Sequence, residues 1–280
     1  MLRRGAALLR RAAGGRRGLA SAAVCTKIGA PLELRTDWGD DAAPLKPKQL
    51  RIRVAAAGVN FADLLQVQGL YQDVAEPPFV PGNEAAGEVT EVGAGASSAF
   101  AVGDRVICVS RGGAYASEIV TDASTCLKLP EAAASKDLAE AAALLINYGT
   151  AHIALTRRAR LVEGETLLVT AAAGGVGLAA VELGAVLGAG RVIAACGSEK
   201  KVELARARGA DGVLGLNYAG LDAKAYRAAL KEVAGKVWRF PPLLLPRLST
   251  ALRLAHPLAR ARPRVCRAVH SPPAPHAGGH

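Results

Sequence analysis

No acidic residue occurs before Glu33 or after Glu232 in this 280-residue chain. That absence accounts for the formal net charge of +11: seven Lys or Arg lie in residues 1–27 and eight in residues 236–280, leaving 20 basic against 24 acidic residues between them. The body is mildly acidic. A nucleic-acid reader would carry a basic stripe on a folded face, so the charge distribution argues against nucleic acid as a partner. There is also no C-x-x-C pair. The five cysteines, Cys25, Cys108, Cys126, Cys196 and Cys266, are odd in number and widely spaced, which fits neither a disulfide framework nor a zinc lobe. They read as reduced thiols packed as small apolar side chains. No apolar run reaches the ~18 residues of a membrane-spanning helix, so no membrane partner is expected.

The first segment, Met1 to Ser21, interleaves Arg3, Arg4, Arg10, Arg11, Arg16 and Arg17 with Leu and Ala. This is the composition of an amphipathic mitochondrial transit peptide, which sets residues 1–20 aside from the fold and implies the mitochondrial matrix. The stretch Arg17 to Ser21 resembles a matrix-peptidase site, so the mature chain would start near Ala20. A disordered basic arm is the alternative reading.

From Ile28 to about Ala143, short β-like runs are punctuated by turn residues. Gln49 to Ala55 alternates, Glu88 to Val92 precedes a Gly-x-Gly turn, Arg105 to Val109 follows Gly103-Asp104, and Ala116 to Thr121 follows Gly112-Gly113. A partly open β-barrel is expected over residues 28–145, with a helical turn from Asn60 to Val67. The grammar then changes over residues 146–235. Strands are expected at Leu167–Thr170, Arg191–Ala195 and Gly212–Leu216, and helices at Val176–Leu187, Glu199–Arg208 and Asp222 to about Ala234. This β-α-β-α-β order is the first half of a doubly wound nucleotide-binding domain, so the fold class is α/β plus β. Residues 236–280 hold eight Pro, seven Arg and no acid. Proline interrupts every apolar run there, so the segment is expected to be disordered and to form no strand.

The main chemical signal is Ala172-Ala173-Gly174-Gly175-Val176-Gly177, between a strand and a helix. Gly174 lets backbone approach a pyrophosphate, Gly177 lets the helix pack on the strand, and the helix N-terminus offers free N–H groups to phosphate. Gly174, Gly175, Val176 and Gly177 are therefore candidate cofactor contacts. An acid at the end of the second strand would bind ribose hydroxyls and repel a 2′-phosphate. None is there. Ser198, Lys200 and Lys201 follow instead, which suits NADPH over NADH; the alternative is that the two lysines are a solvated helix start.

Five further motifs follow in order: Gly58-Val59-Asn60-Phe61-Ala62-Asp63, Pro81-Gly82-Asn83-Glu84-Ala85-Ala86-Gly87, Val102 to Val106, Gly113-Ala114-Tyr115-Ala116, and Asn147-Tyr148-Gly149-Thr150-Ala151-His152. In this arrangement the chain resembles the medium-chain dehydrogenase/reductase superfamily, and within it the zinc-independent quinone oxidoreductase (zeta-crystallin-like) family, over residues 28–235. The resemblance implies a GroES-like domain followed by a Rossmann domain, here truncated to its first half. It also implies a quinone or conjugated carbonyl as substrate and Thr150 as a further cofactor contact.

Zinc-containing members carry a Cys and a His where this chain has Asn60 and Asn83, so the resemblance implies no catalytic metal. Asn60 and Tyr71 are expected to line the nicotinamide pocket, with Tyr71 as a hydrogen-bond or proton donor to a developing oxyanion; a half-buried loop tyrosine is the alternative. Asp63 and Asp104 read as turn and cap residues, and His152 as a core or helix histidine. An enoyl-thioester reductase has the same Asn, Gly-x-Tyr and Gly-Asn-Glu pattern and stays open. So does a non-catalytic product, because the resemblance stops at Gly235. On that reading strands 4 to 6 of the doubly wound sheet are lost and with them the floor of the nicotinamide site, the strand Leu167–Thr170 becomes an unpaired edge, the family homodimer is lost and turnover is impaired.

Overall fold

The computed structural model describes residues 20–39, 44–73, 75–133, 137–209 and 212–235, and the backbone of Val265–Ala268. Residues 1–19, where most of the expected transit peptide falls, lie outside the described residues. The chain divides into two compact units, Met1–Ile146 and Asn147–His280.

The first unit opens with an antiparallel pair, β1 (Ala20–Val24) and β2 (Glu33–Trp38). Neither strand was expected, and Ala20 and Ser21, assigned to the segment outside the fold, belong to β1. Their place is fixed from elsewhere in the chain. The Ser21 amide donates to Ser117 Oγ at 3.0 Å and the Ala23 amide to the Tyr115 carbonyl at 2.8 Å. The next elements are β3 (Gln49–Ala57), α1 (Phe61–Val67), β4 (Glu84–Val92), β5 (Arg105–Val109), β6 (Glu118–Asp122), β7 (Cys126–Lys128) and α2 (Leu138–Ala142). Five of the strands form an antiparallel sheet in the order β6-β3-β4-β5-β7 that does not close into a barrel among the described residues.

Strand β3 illustrates the two-residue period that builds this sheet. Leu50 and Ile52 enter the core with Ala85, Val89, Val106, Cys108 and Ile119. Arg51 and Arg53 turn the other way and meet their register partners on β4: Arg51 Nε lies 3.2 Å from Glu91 and Arg53 Nη2 2.8 Å from Glu88. Strand β4 begins at Glu84, four residues before the expected Glu88, because Glu84–Gly87 pairs with β5. Strand β6 is displaced toward the C-terminus relative to the expected Ala116–Thr121, and β7 is an addition.

The second unit is doubly wound. Helix α3 (Leu145–Ile153) leads to β8 (Thr166–Thr170), α4 (Gly175–Val186), β9 (Arg191–Cys196), α5 (Glu199–Arg208), β10 (Val213–Asn217) and α6 (Ala223–Ala234). The strands are parallel in the order β10-β9-β8. Both faces of β8 are covered, which is why its sequence is a continuous apolar run and not an alternation. Leu167 and Val169 pack with Ala179, Ala180 and Val181 of α4, while Leu168 joins Ile193, Leu216 and Leu230 on the opposite face. Asp222 caps α6, its Oδ1 accepting from the Ala225 amide at 2.7 Å.

The expectation that no strand forms after Gly235 is overturned. Strand β11 (Val265–Ala268) pairs in parallel with β8, Val265 opposite Thr166 and Ala268 opposite Val169. Strand β8 is therefore not an edge. The eight residues between Pro263 and Pro272 contain no proline. Each keeps the N–H that a ladder requires, and four such residues suffice for a short strand.

Candidate functional site

The turn between β8 and α4 forms the mouth of a cavity of about 260 Å³ lined by Ala171, Gly174–Gly177, Cys196, Gly197, Lys201 and Tyr218. Local sterics dictate its glycines. A Cβ on Gly177 would lie 2.4 Å from the Ala171 carbonyl oxygen and 2.8 Å from Ala172 Cα, so α4 can sit this close to the end of β8 only without one. A Cβ on Gly175 would lie 2.5 Å from Asn147 Oδ1, whereas at Gly174 the nearest atom is at 3.4 Å. Ala171 itself has φ +51°, a left-handed conformation that a Cβ disfavours. First-turn amides of an α-helix have no intrahelical acceptor, so this turn presents N–H groups and the positive end of the α4 dipole.

The end of β9 supplies the other wall. Among the described residues no carboxylate lines the cavity there, and Lys201 brings a cation. Tyr218, directly after β10, lies along Gly197, its ring carbons 3.4–3.7 Å from where a Cβ would be. The edge-on ring of Tyr226, 6.2 Å away at 85°, fixes its orientation. Burial pushes the Cys196 thiol up, which keeps this lining residue neutral.

A second polar constellation lies in the first unit, between the start of α1 and the start of β4. Asp63 is 2 % exposed and Glu84 1 %. Asp63 accepts from the Asn60 amide at 2.8 Å, from Tyr115 Oη at 2.8 Å and from Asn83 Nδ2. Glu84 accepts from Asn60 Nδ2 at 2.9 Å and from the Ile146 amide at 2.8 Å. Gly58 makes room for that carboxylate, since a Cβ there would fall 2.3 Å from Glu84 Oε1. Burial, and then the Asp63 carboxylate, push the Tyr115 phenol well above the ordinary tyrosine range. Two amides and a phenol thus satisfy two buried carboxylates, as buried polar groups require. Asp63 is more than the cap residue expected from sequence: it joins α1, β4 and Tyr115.

Residues 46–131 match the alcohol dehydrogenase GroES-like domain. Quinone oxidoreductase-like protein 2 from Rattus norvegicus is 43% identical over 197 residues, which is 70% of this chain and 54% of that protein. A probable oxidoreductase from Mycobacterium abscessus is 36% identical with a TM-score of 0.67, covering 78% of this chain and 67% of the other. The chain belongs to the quinone oxidoreductase family of medium-chain dehydrogenases/reductases. It spans a little over half the length of the curated relatives it matches. Escherichia coli quinone oxidoreductase, whose crystal structure is a complex with NADPH, is 30% identical with a TM-score of 0.65 and covers 76% of this chain and 62% of its own.

Of the expected cofactor contacts of this family member, Gly174, Gly175, Val176, Gly177 and Lys201 line the cavity, and Ser198, Lys200 and Thr150 are not among its lining residues. Ser198 is the N-cap of α5, its hydroxyl accepting from the Lys201 amide. Lys200 and Thr150 are exposed. Asn60 is buried with its amide donated to Glu84, and Tyr71 is half-buried in the loop after α1. Sequence reasoning missed Tyr218 and Cys196. The signal for Tyr218 was an aromatic directly after the third strand of the β-α-β-α-β unit, at the carboxyl end where ligands of such sheets collect. Among the described residues, no group of three or more His, Cys, Asp or Glu is placed to hold a metal ion.

Proposed function

We propose that this chain binds NADPH in the cavity at the carboxyl ends of β8 and β9 and serves the two-electron reduction of a quinone or a conjugated carbonyl without zinc. The reading rests on one observation: a glycine turn with no room for a Cβ at Gly177 opens onto a cavity that, among the described residues, a lysine lines and no carboxylate does. The amides at the start of α4 would hold the pyrophosphate, and Lys201 would hold the 2′-phosphate by a charge-assisted hydrogen bond. Tyr218 would cover the adenosine side. A bound nicotinamide supplies a hydride, and the protein's part is to hold and orient it. Tyr71 is the candidate donor to the substrate oxygen that gains negative charge.

Zinc independence is supported by the donor chemistry at the two positions that the family's zinc enzymes use. Asn60 and Asn83 are amides, and both have given an N–H to a buried carboxylate. Neither is a ligand that zinc ordinarily takes. One ground for expecting impaired turnover, an unpaired β8, is removed by β11, whereas the other, the loss of strands 4 to 6 beneath the nicotinamide half, is not touched by that single strand. We further propose a mitochondrial matrix address carried by residues 1–20, testable by import of a reporter fused to them.

The deciding experiment is NADPH oxidation by the full chain with a quinone and, in parallel, a 2-enoyl thioester, together with elemental analysis. Turnover of the quinone with NADPH and no stoichiometric zinc supports the proposal. Turnover of the thioester alone assigns the enoyl reductase reading, and one zinc per chain refutes the metal-free reading.

A further inference from the structure

We propose that Cys108 and Cys126 form a redox-active thiol pair in which a hydroperoxide installs a reversible intramolecular disulfide between β5 and β7. The two residues are 18 apart in sequence, yet each is the other's register partner across the β5–β7 ladder. The ladder also fixes which kind of pair they make. The Leu129 amide donates to the Arg105 carbonyl at 2.9 Å, making that outermost pair a hydrogen-bonded one. Pairs alternate along an antiparallel ladder, so Cys108 and Cys126, three residues further in, are a non-hydrogen-bonded pair. In such pairs the Cα atoms are ~4.5 Å apart and the side chains closest, inside the ~4.4–6.8 Å window that a disulfide spans without backbone movement. Both side chains enter the same core cluster, so they point to the same face. Both are free thiols.

Their chemistry is asymmetric in a way that suits oxidation. The neighbouring Cys126 side chain, with a further backbone contact from Ala85, holds the Cys108 thiol below its ordinary range. The neighbouring Cys108, and then burial, push Cys126 up, and the Cys126 thiol donates to the Asp122 carbonyl at 3.5 Å. Cys108 is accordingly the attacking sulfur and Cys126 the resolving thiol. In the first step the Cys108 sulfur attacks the terminal peroxide oxygen: an S–O bond forms, the O–O bond breaks, and the leaving oxygen takes a proton and departs as water from hydrogen peroxide, or as the alcohol from an organic hydroperoxide. The product is a sulfenic acid on Cys108. In the second step Cys126 loses its proton and attacks that sulfur, forming the S–S bond and breaking S–O, with the hydroxide leaving as water. The two sulfurs together give up two electrons and the peroxide takes them. A small-molecule dithiol reverses the change by exchange.

Cys108 is 1 % exposed and Cys126 5 %, so the oxidant enters by local opening. Strand β7 is suited to that. It has three residues, lies at one edge of the sheet and follows directly on a 3-10 turn at Ala123–Thr125. Short edge elements open at far lower cost than the whole fold. The disulfide would tie that edge to β5. In the β4–β5 ladder Cys108 faces Ala85, one residue from Glu84, which holds Asn60.

The test uses the full chain with hydrogen peroxide in native buffer, followed by alkylation of free thiols, non-reducing digestion and mass spectrometry. The expected result is a Cys108 peptide joined to a Cys126 peptide within one chain, lighter by two hydrogens. It should exceed any other cysteine pairing roughly tenfold and disappear on treatment with dithiothreitol. Cys126→Ala should leave a sulfenic acid on Cys108 that a cyclic 1,3-diketone traps, and Cys108→Ala should leave no such adduct on Cys126. Linkage in urea-unfolded chain alone would overturn the proposal. So would oxidation at Cys25, Cys196 or Cys266 while Cys108 and Cys126 stay alkylatable. The wild-type digest decides even if either variant fails to fold.

Discussion

Replacing Gly177 by Ala probes the step that makes the cavity possible, the approach of α4 to the end of β8. The added Cβ would stand 2.4 Å from the Ala171 carbonyl oxygen and under 3.0 Å from two atoms of the Ala172 backbone, where ordinary contact begins at 3.4 Å. The turn or the helix must move by about 1 Å to accept it. Backbone atoms cannot swing aside as a side chain end would, so the cost falls near the top of the ~1–3 kcal/mol range for overpacking. Ala is the better helix former by about 1 kcal/mol, which leaves a net loss of about 2 kcal/mol. For a chain of this size that lowers Tm by about 4–8 °C. The same movement shifts the first-turn amides, so NADPH affinity should fall about tenfold. Gly149→Ala is the matched control, since that glycine lies within α3 with nothing inside 4 Å of the added Cβ. It should gain about 0.5–1 kcal/mol and bind NADPH as before. Thermal denaturation and a fluorescence titration of both variants decide it. If Gly177→Ala matched Gly149→Ala in Tm and affinity, the steric account of the cradle would be wrong.

Lys201→Ala should weaken NADPH by ~1.5–3 kcal/mol and leave NADH unchanged, while Lys200→Ala should alter neither; parallel titrations with the two cofactors separate the lysines. Asp63→Asn should cost about 2–4 kcal/mol in denaturant unfolding, because the amide can no longer accept from Asn60, Asn83 and Tyr115 together. Burial, and then the Glu182 carboxylate, push the Tyr148 phenol up to about 12. Since the folded value lies above the ordinary ~10, its contribution to stability is fully present below pH ~10 and is lost as pH rises through the folded value. Ultraviolet absorbance titration should therefore find late-titrating phenols at both Tyr115 and Tyr148, of which Tyr148→Phe removes one, and Tyr148→Phe should make the alkaline limb of the stability profile less steep. Tyr71→Phe should lower quinone turnover with NADPH binding intact; unchanged turnover would make Tyr71 an ordinary loop residue.

The doubly wound unit was the most legible part of the sequence. A continuous apolar run at Leu167–Val169, a glycine cluster and the helical stretches beginning at Glu199 and Asp222 are local signals, and local physics placed them within a residue or two. The elements that were missed depend on partners far along the chain. Strands β1 and β2 carry no alternation strong enough to stand out, and β1 is held by Tyr115 and Ser117, more than ninety residues away. Strand β11 was excluded by counting prolines over a whole segment, where the spacing between them was the relevant quantity. At the site, the glycine turn and Lys201 could be read from spacing. Tyr218 could not be weighed without knowing which way β10 points it. The Asp63–Tyr115–Asn83 network joins three motifs that sequence order keeps apart. Likewise, Cys108 and Cys126 look unrelated until β5 and β7 are paired.

The most direct test of the account is a fluorescence titration of the full chain with NADPH and NADH, repeated for Lys201→Ala. The account requires saturable binding with NADPH preferred by about tenfold or more, and a preference that collapses in the variant because NADPH affinity falls. Absence of saturable NADPH binding, or equal binding of both cofactors before and after the substitution, would contradict it.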